Sequence, residues 1–351
     1  MNKSMHDTYS LPPEWHPQSG IQLTWPHAQT DWADYLNQIT LTFIDMTRAI
    51  ARHEKVLIVT PFVDDVRAMV QASVDKALHH NILFRYAPTN DTWARDHAFI
   101  TLLPEGEGVP RLVDFRFNGW GEKFEAGKDN LINSRLFFDG AFRGHYVNRN
   151  EFVLEGGSIE SDGKGTVFTT SQCLLAPHRN QPFSREEIEL RLKQMLGARR
   201  IVWLDHGNLM GDDTDGHIDT IVRTAPDDTL LYIATDNVND PQHDDFKALE
   251  AQLRTITTLD GRPYRLLRLP IPDSIYDGED RLPATYANFV ILNGAVLCPT
   301  YAQPHNDRQA LDTLAEAFQG REIIPIDART VIRQHGSLHC LTMQYPEDVI
   351  L

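Results

Sequence analysis

One order of elements recurs along this chain, and it constrains the fold more than any single motif does. An amphipathic helix is followed by an apolar strand, a polar loop and a two-stranded hairpin. Segment 184–197 places Ile188, Leu192, Met195 and Leu196 on one helical face. Ser184, with Glu187 three residues later, reads as a capping box. Strand Arg200–Leu204, loop 206–215 and a hairpin over 217–224 and 229–234 complete the unit. The same order returns with Phe246, Leu249, Leu253 and Ile256 on a helix face, a strand at 264–270, and a hairpin over 286–291 and 295–299. That hairpin turns at Asn293-Gly294. It returns again with Leu311, Leu314, Ala315 and Phe318, a strand at 322–326 and an apolar segment at 338–344. Upstream, a helix over 63–79 and strand Ile82–Tyr86 lead to a hairpin near 97–102 and 111–117. Another hairpin, 151–160 and 165–170, turns at Asp162-Gly163.

Asp96, Glu155, Asp219, Asn288 and Cys340 mark the successive units, at spacings of 59, 64, 69 and 52 residues. A period of this size points to radial or solenoid repetition, the alternative being an ordinary α/β domain of alternating elements. Segment 338–344 has no return strand after it. The apolar stretch 21–25 is expected to supply one and close a ring, which would also protect the sheet edges. The 351 residues then form one domain, 1–351, of five units of about 70 residues each.

Composition removes several function classes. The chain carries 49 acids against 33 bases, a formal charge of −16. Proteins that neutralise phosphates use Lys and Arg, so neither nucleic acid nor an anionic membrane is the expected partner. There is no apolar run long enough for a membrane span. The N-terminal stretch 1–12 is polar and shows no signal-peptide core. Three scattered cysteines, Cys173, Cys298 and Cys340, make no disulfide framework and point to a reducing, cytoplasmic setting. The sequence leaves a homo-oligomer open.

Four clusters could carry chemistry. The densest is Gly211-Asp-Asp-Thr-Asp-Gly-His-Ile-Asp219. On a strand, His217 and Asp219 would face the same side. The cluster reads as a divalent-metal site, as a grip on a planar array of N–H donors, or as a solvated acidic loop. The second, Asn90-Asp-Thr-Trp-Ala-Arg-Asp96, sets Trp93 beside carboxylates, which suits an organic cation, or is a surface loop with an internal Arg–Asp pair. In the third, Glu155 precedes Gly156 and Gly157 in an apolar run. Glycines there suggest close approach of a backbone or ligand, and Glu155 needs water or a partner such as His217. The fourth ends in His339-Cys340. Cys173 and Cys298 continue apolar strand patterns and read as inert small hydrophobes, whereas Cys340 follows a glycine-containing approach. No Cys-x-x-Cys or His-Glu-x-x-His occurs, so a Cys, a His and acids at equivalent repeat positions fit nucleophilic catalysis on a cation better than a metal site.

Taken together, the clusters resemble the agmatine deiminase group of the guanidine-modifying pentein superfamily, akin to the bacterial peptidylarginine deiminase family. The matching segments are Trp25-Pro26, Asp91 to Asp96, Phe117-Asn-Gly-Trp120, Glu155 to Thr166, Thr214 to Asp219 and His339-Cys340, in family order over nearly the whole chain. The resemblance implies an α/β fold, the five-bladed propeller of ββαβ repeats. It implies that Cys340 attacks the guanidinium carbon, that His217 is general acid and base, and that Glu155 accompanies it. Asp96 and Asp219 would grip the guanidinium nitrogens, with Trp93, Asp213 and Trp120 completing the substrate pocket. Asp212 joins the acids expected around the cation. The implied reaction is hydrolysis of agmatine to N-carbamoylputrescine and ammonia, in putrescine biosynthesis, without a metal or other cofactor. The alternatives are a deiminase of peptidyl-arginine or free arginine, and a metal hydrolase built on His206, Asp213, His217 and Asp219.

Overall fold

Each unit is built on one strand that is buried along most of its length. Strands such as Lys55–Thr60, Thr229–Ala234 and Ala295–Thr300 are buried at nearly every position. A strand covered on both faces suits the interior of a partly parallel sheet. The computed structural model of the protein describes residues 8–351; residues 1–7, part of the polar stretch 1–12, lie outside the described residues.

Among the described residues the strands form five ββαβ blades. In each, a short inner strand pairs antiparallel with a second strand, and a third joins the second in parallel after a helical crossover. Blade 2 runs Ile100–Pro104, Arg111–Arg116, helix Ile132–Phe138 and His145–Val153. Blade 3 runs Ile159–Ser161, Thr166–Thr170, helix Arg185–Leu196 and Arg200–Leu204. Blade 4 runs Val222–Ala225, Thr229–Ala234, helix His243–Leu253 and Arg265–Pro270. Blade 5 runs Val290–Ile291, Ala295–Thr300, helix Pro304–Ala317 and Glu322–Asp327. Blade 1 joins the two ends of the chain. C-terminal strand Thr342–Pro346 pairs antiparallel with Gln18–Thr24, Thr342 opposite Leu23, and Lys55–Thr60 follows in parallel after helix Leu36–Ala51.

The expected closure by 21–25 is therefore present. Hydrogen bonds complete the circle at the mouths of the inner strands. Arg95 N donates to Cys340 O (3.2 Å), Gly157 N to Asp96 Oδ1 (3.1 Å) and Thr170 Oγ1 to Gly216 O (2.6 Å). Asn288 Nδ2 donates to Asp219 O (3.3 Å) and His339 N to Asn288 O (3.2 Å). Every blade is thus bonded to both neighbours. The helices cover the outside, burying faces such as Ile188, Leu192 and Leu196.

Local signals hold where the backbone geometry is short-range. The Ser184–Glu187 capping box forms, and Gly197 ends that helix in the left-handed region at φ +66°. Gly163 takes φ +67° in its turn. Other expectations are corrected. The helix over 63–79 stops at Ser73, and 3₁₀ helix Lys76–Asn81 follows. Together with strand Ile82–Tyr86 it is an extra layer on the edge of blade 1 rather than part of blade 2. Residues 151–153 close blade 2 in parallel with Arg111–Arg116, so the inner strand of blade 3 begins only at Ile159. Helices Leu36–Ala51 and Ile132–Phe138 were not foreseen. No helix among the described residues is long and apolar enough to cross a membrane.

Candidate active site

The inner strands begin two to four residues after Asp96, Glu155, Asp219, Asn288 and Cys340, so the five blades deliver these residues to one axis. His217 and Asp219 do not lie on a strand. Ile218–Thr220 is a 3₁₀ turn, and strand pairing begins at Val222. A turn lets both side chains enter the centre without the period-two constraint of a strand. The same correction applies to 286–289 and 338–341, which precede pairing in blades 5 and 1.

A cavity of about 210 Å³ opens on this axis, lined by Trp93, Asp96, Trp120, Asp213 and Cys340, with Asp31, Asp91 and His335 among the others. Asp96 is fully buried, with Oδ1 accepting from Gly157 N and Oδ2 from Trp120 Nε1 (2.9 Å). Burial, with Asp219 and Glu155 nearby and despite His217, pushes its carboxyl up to about 6. Asp219 takes the other sign. Burial opposes its charge, but the hydrogen bond and charge of His339 hold it below the usual range. Its Oδ2 lies 2.7 Å from His339 Nδ1, and its buried Oδ1 has no partner.

Gly157 is the pivot of the site. A Cβ there would meet His217 Nδ1 at 2.6 Å, Asp96 Oδ1 at 2.9 Å and Asp219 Oδ2 at 3.1 Å. The close approach expected for this glycine is to the catalytic cluster itself. Gly336 is constrained in the same way, because its added Cβ would collide with the Trp93 ring.

Cys340 Sγ lies 3.4 Å from Asn288 Oδ1 and 3.9 Å from Asp219 Oδ2. Burial, then Asp219 and Asp96, push its thiol well above the ordinary range. His217 is completely buried and 3.7 Å from Asp96 Oδ1. Burial alone would favour the neutral ring, but Asp96, Cys173 and Glu155 together raise it well above the ordinary value. Glu155 sits close to His217 as expected, yet its hydrogen-bond partner is Arg179, whose Nε donates to Oε1 at 2.7 Å. Arg179 also holds Asp215 (2.9 Å) and Thr214 O (2.9 Å), fixing the loop that carries His217.

The expected site residues lie close together: Cys340, Asp96, Trp93, Trp120 and Asp213 line the cavity, while His217, Glu155 and Asp219 are not among its lining residues and pack against that group from behind. Asp212 does not line the cavity. Its carboxylate accepts from Thr214 N, Thr214 Oγ1 and Gly216 N and builds the loop instead. Cys173 is not a bystander, since its sulfur lies within 4.8 Å of donor atoms of Glu155 and His217. The metal set His206, Asp213, His217 and Asp219 is not assembled, and His206 faces Asp245 at 3.4 Å. Asn288 was missed as a site residue, although its equivalence to Asp96 and Asp219 in the repeat was readable. It accepts from the backbone N of both His339 (2.9 Å) and Cys340 (3.2 Å). Arg179 and Glu14 stand in no motif and had no local signal.

Five ββαβ blades around an axial Cys, His and carboxylate cluster define a pentein. The chain belongs to the Porphyromonas-type peptidyl-arginine deiminase family, whose sequence model matches residues 10–346. It is 48% identical to a Porphyromonas gingivalis structure provisionally assigned as an arginine deiminase, with a TM-score of 0.92 over 98% of this chain and 100% of that one. It is 34% identical to a cysteine-to-serine variant of C. jejuni agmatine deiminase with substrate bound, with a TM-score of 0.88 and 97% of each chain covered. The agmatine deiminase of Ectopseudomonas mendocina is 31% identical over 97% of this chain and 96% of its own.

Proposed function

We propose that this protein is an agmatine deiminase, hydrolysing agmatine to N-carbamoylputrescine and ammonia as a single domain spanning 1–351. The cavity lining carries the reading. Asp31, Asp91 and Asp213 accompany Asp96 there, and among the described lining residues His335 is the one basic side chain, with no Lys or Arg. Such a wall suits a substrate with a second cation beyond its guanidinium. Free arginine would bring a carboxylate into the same space, against like charge. Agmatine deiminases among its relatives support the same activity.

The guanidinium lies between Asp96 and Asp219, which fix its plane through charge-assisted hydrogen bonds. In the resting protein Cys340 is a thiol. A cation bound between Asp96 and Asp219 neutralises the two carboxylates that oppose the thiolate, so the thiol passes its proton to solvent as the cation binds. The thiolate adds to the guanidinium carbon and forms a C–S bond. Protonated His217 gives its proton to a nitrogen, the C–N bond breaks, and ammonia leaves. His217, now neutral, takes a proton from water. The water oxygen bonds to the amidino carbon, the C–S bond breaks, and the ureido product departs with Cys340 restored. The buried free thiols and the acid excess fit a cytoplasmic enzyme of small cations that does not bind nucleic acid.

Ammonia release with agmatine, arginine and a blocked peptidyl-arginine tests the assignment. Agmatine is expected to give the highest kcat/KM, and Cys340→Ser to abolish turnover. Preference for peptidyl-arginine would overturn the substrate, and an active Cys340→Ser the nucleophile.

A further inference from the structure

Behind Cys340, away from the cavity lining, lies an ionic cluster in which Asp219 alone takes part in the reaction steps. His339 is completely buried; both ring nitrogens face carboxylates, and Nε2 also lies 3.1 Å from Arg223 Nη2. Nδ1 is 2.7 Å from Asp219 Oδ2, and Nε2 is 2.7 Å from Glu14 Oε1. Glu14 also receives Arg95 Nη1 (3.1 Å) and Arg223 Nη2 (2.6 Å). Arg223 in turn binds Glu160, which accepts from Thr224 N at 2.9 Å. The groups packed around His339 are therefore three carboxylates, Glu14, Glu160 and Asp219, and two guanidinium groups, Arg95 and Arg223. The His339 ring bridges Asp219 and Glu14, at 2.7 Å on either side.

Glu14 reaches this place on a strap. Segment 11–17 runs between strand Tyr9–Ser10, at the edge of blade 2, and the Gln18–Thr24 strand of blade 1. It is tied to blade 3 through Leu11 N to Leu196 O (3.1 Å) and Ser161 Oγ to Leu11 O (3.0 Å). Three prolines, Pro12, Pro13 and Pro17, stiffen it.

We infer that Glu14 is a positioning residue: it holds the His339 ring in place, and the ring in turn fixes Asp219 through Oδ2, with Oδ1 left for the guanidinium. Glu14 and His339 touch neither the cavity nor the reacting atoms and act through Asp219. Cys340, next in sequence to His339, shares the effect because Asp219 also faces its sulfur. The lowered carboxyl of Asp219, held down by His339 against the effect of burial, agrees with this arrangement. The inference rests on the guanidine-hydrolase reading, but its first measurement does not need turnover.

In full-length protein labelled with ¹⁵N-histidine, the His339 ring signals are expected to move in Glu14→Gln and to return in part in Glu14→Asp. With agmatine, Glu14→Gln is expected to lower kcat/KM by about tenfold or more, because breaking a buried ion pair leaves its partner uncompensated. The loss should appear mainly in KM, with partial recovery in Glu14→Asp. His339 ring signals that stay in place in Glu14→Gln would overturn the inference. So would a Glu14→Gln protein that melts lower yet keeps KM. Failure of agmatine turnover in the unsubstituted protein would instead strike the functional reading and leave the ring signal to decide this one.

Discussion

At the scale of single residues, the site sets two like-charged carboxylates against burial and answers them unequally. Asp219 has an imidazole on one oxygen, whereas Asp96 has the indole N–H of Trp120 and one backbone N–H. Neutral donors stabilise a buried carboxylate less than a charged partner does. The Asp96 carboxyl accordingly rises to about 6, and the consequence has a definite sign. Below about pH 6 Asp96 takes a proton and loses its grip on the cation, so kcat/KM for agmatine should fall as pH drops, approaching tenfold per unit. A steady-state pH profile that stays flat down to pH 5 would refute this. The same raised value means that the fold binds this proton more tightly than the unfolded chain does. Stability from Asp96 is therefore lost as pH rises through about 6. Removing the charge in Asp96→Asn should leave the ligand-free protein melting at or above the original temperature at pH 8, while abolishing turnover.

At the scale of elements, the mouths of the inner strands carry the residues proposed for catalysis and the strands themselves do the holding. Asp96 sits on a helical turn, Glu155 directly before a 3₁₀ turn and Asp219 within one, just before pairing begins. This is also why the expected hairpins were too long at one end. Apolar residues such as Ile218 and Leu338 continue the strand-like pattern, yet they are buried in turns. Sequence alternation cannot distinguish a buried turn from a buried strand, because both are apolar. Asn288 shows what such a turn needs. One side chain caps the backbone of His339 and Cys340 and binds Asp219 O. Asn288→Ala leaves those two buried N–H groups without their side-chain acceptor, at a cost of about 1–3 kcal/mol. The expected outcome is a lower melting temperature together with a kcat loss larger than the change in KM, since the nucleophile's turn loosens. Unchanged kcat in a folded Asn288→Ala protein would show that the turn holds itself.

At the scale of the whole molecule, closure depends on residues more than 300 positions apart. Thr342–Pro346 is the inner strand of blade 1, between the nucleophile and the Gln18–Thr24 strand. Leu23, Trp25 and Tyr345 are buried on that sheet. A chain ending at Leu341 keeps every catalytic residue but exposes the edge of Gln18–Thr24 and frees the turn of Cys340. It should fail to give a cooperative thermal transition and should aggregate, as unpaired edges do. A soluble, cooperatively melting truncation would show that four blades and an open fifth suffice.

The sequence by itself determined the repeat and five marker positions that reach the axis, Asn288 among them without a role, and offered a ring closed by the 21–25 stretch beside an ordinary α/β domain. These depend on local periodicity, turn chemistry and equivalent positions, which the chain carries residue by residue. It also carried the resemblance through which His217, Trp93, Trp120 and Asp213 were expected. Tertiary structure alone decided the rest. It placed Cys173 beside His217, gave Glu155 to Arg179, withdrew Asp212 from the cavity, and brought Glu14 against His339 across 325 residues. These are pairings of buried charges and dipoles, and their energies depend on distance and local dielectric rather than on sequence order. Nothing near Glu14 in the chain announces its partners; the folded ring brings them together.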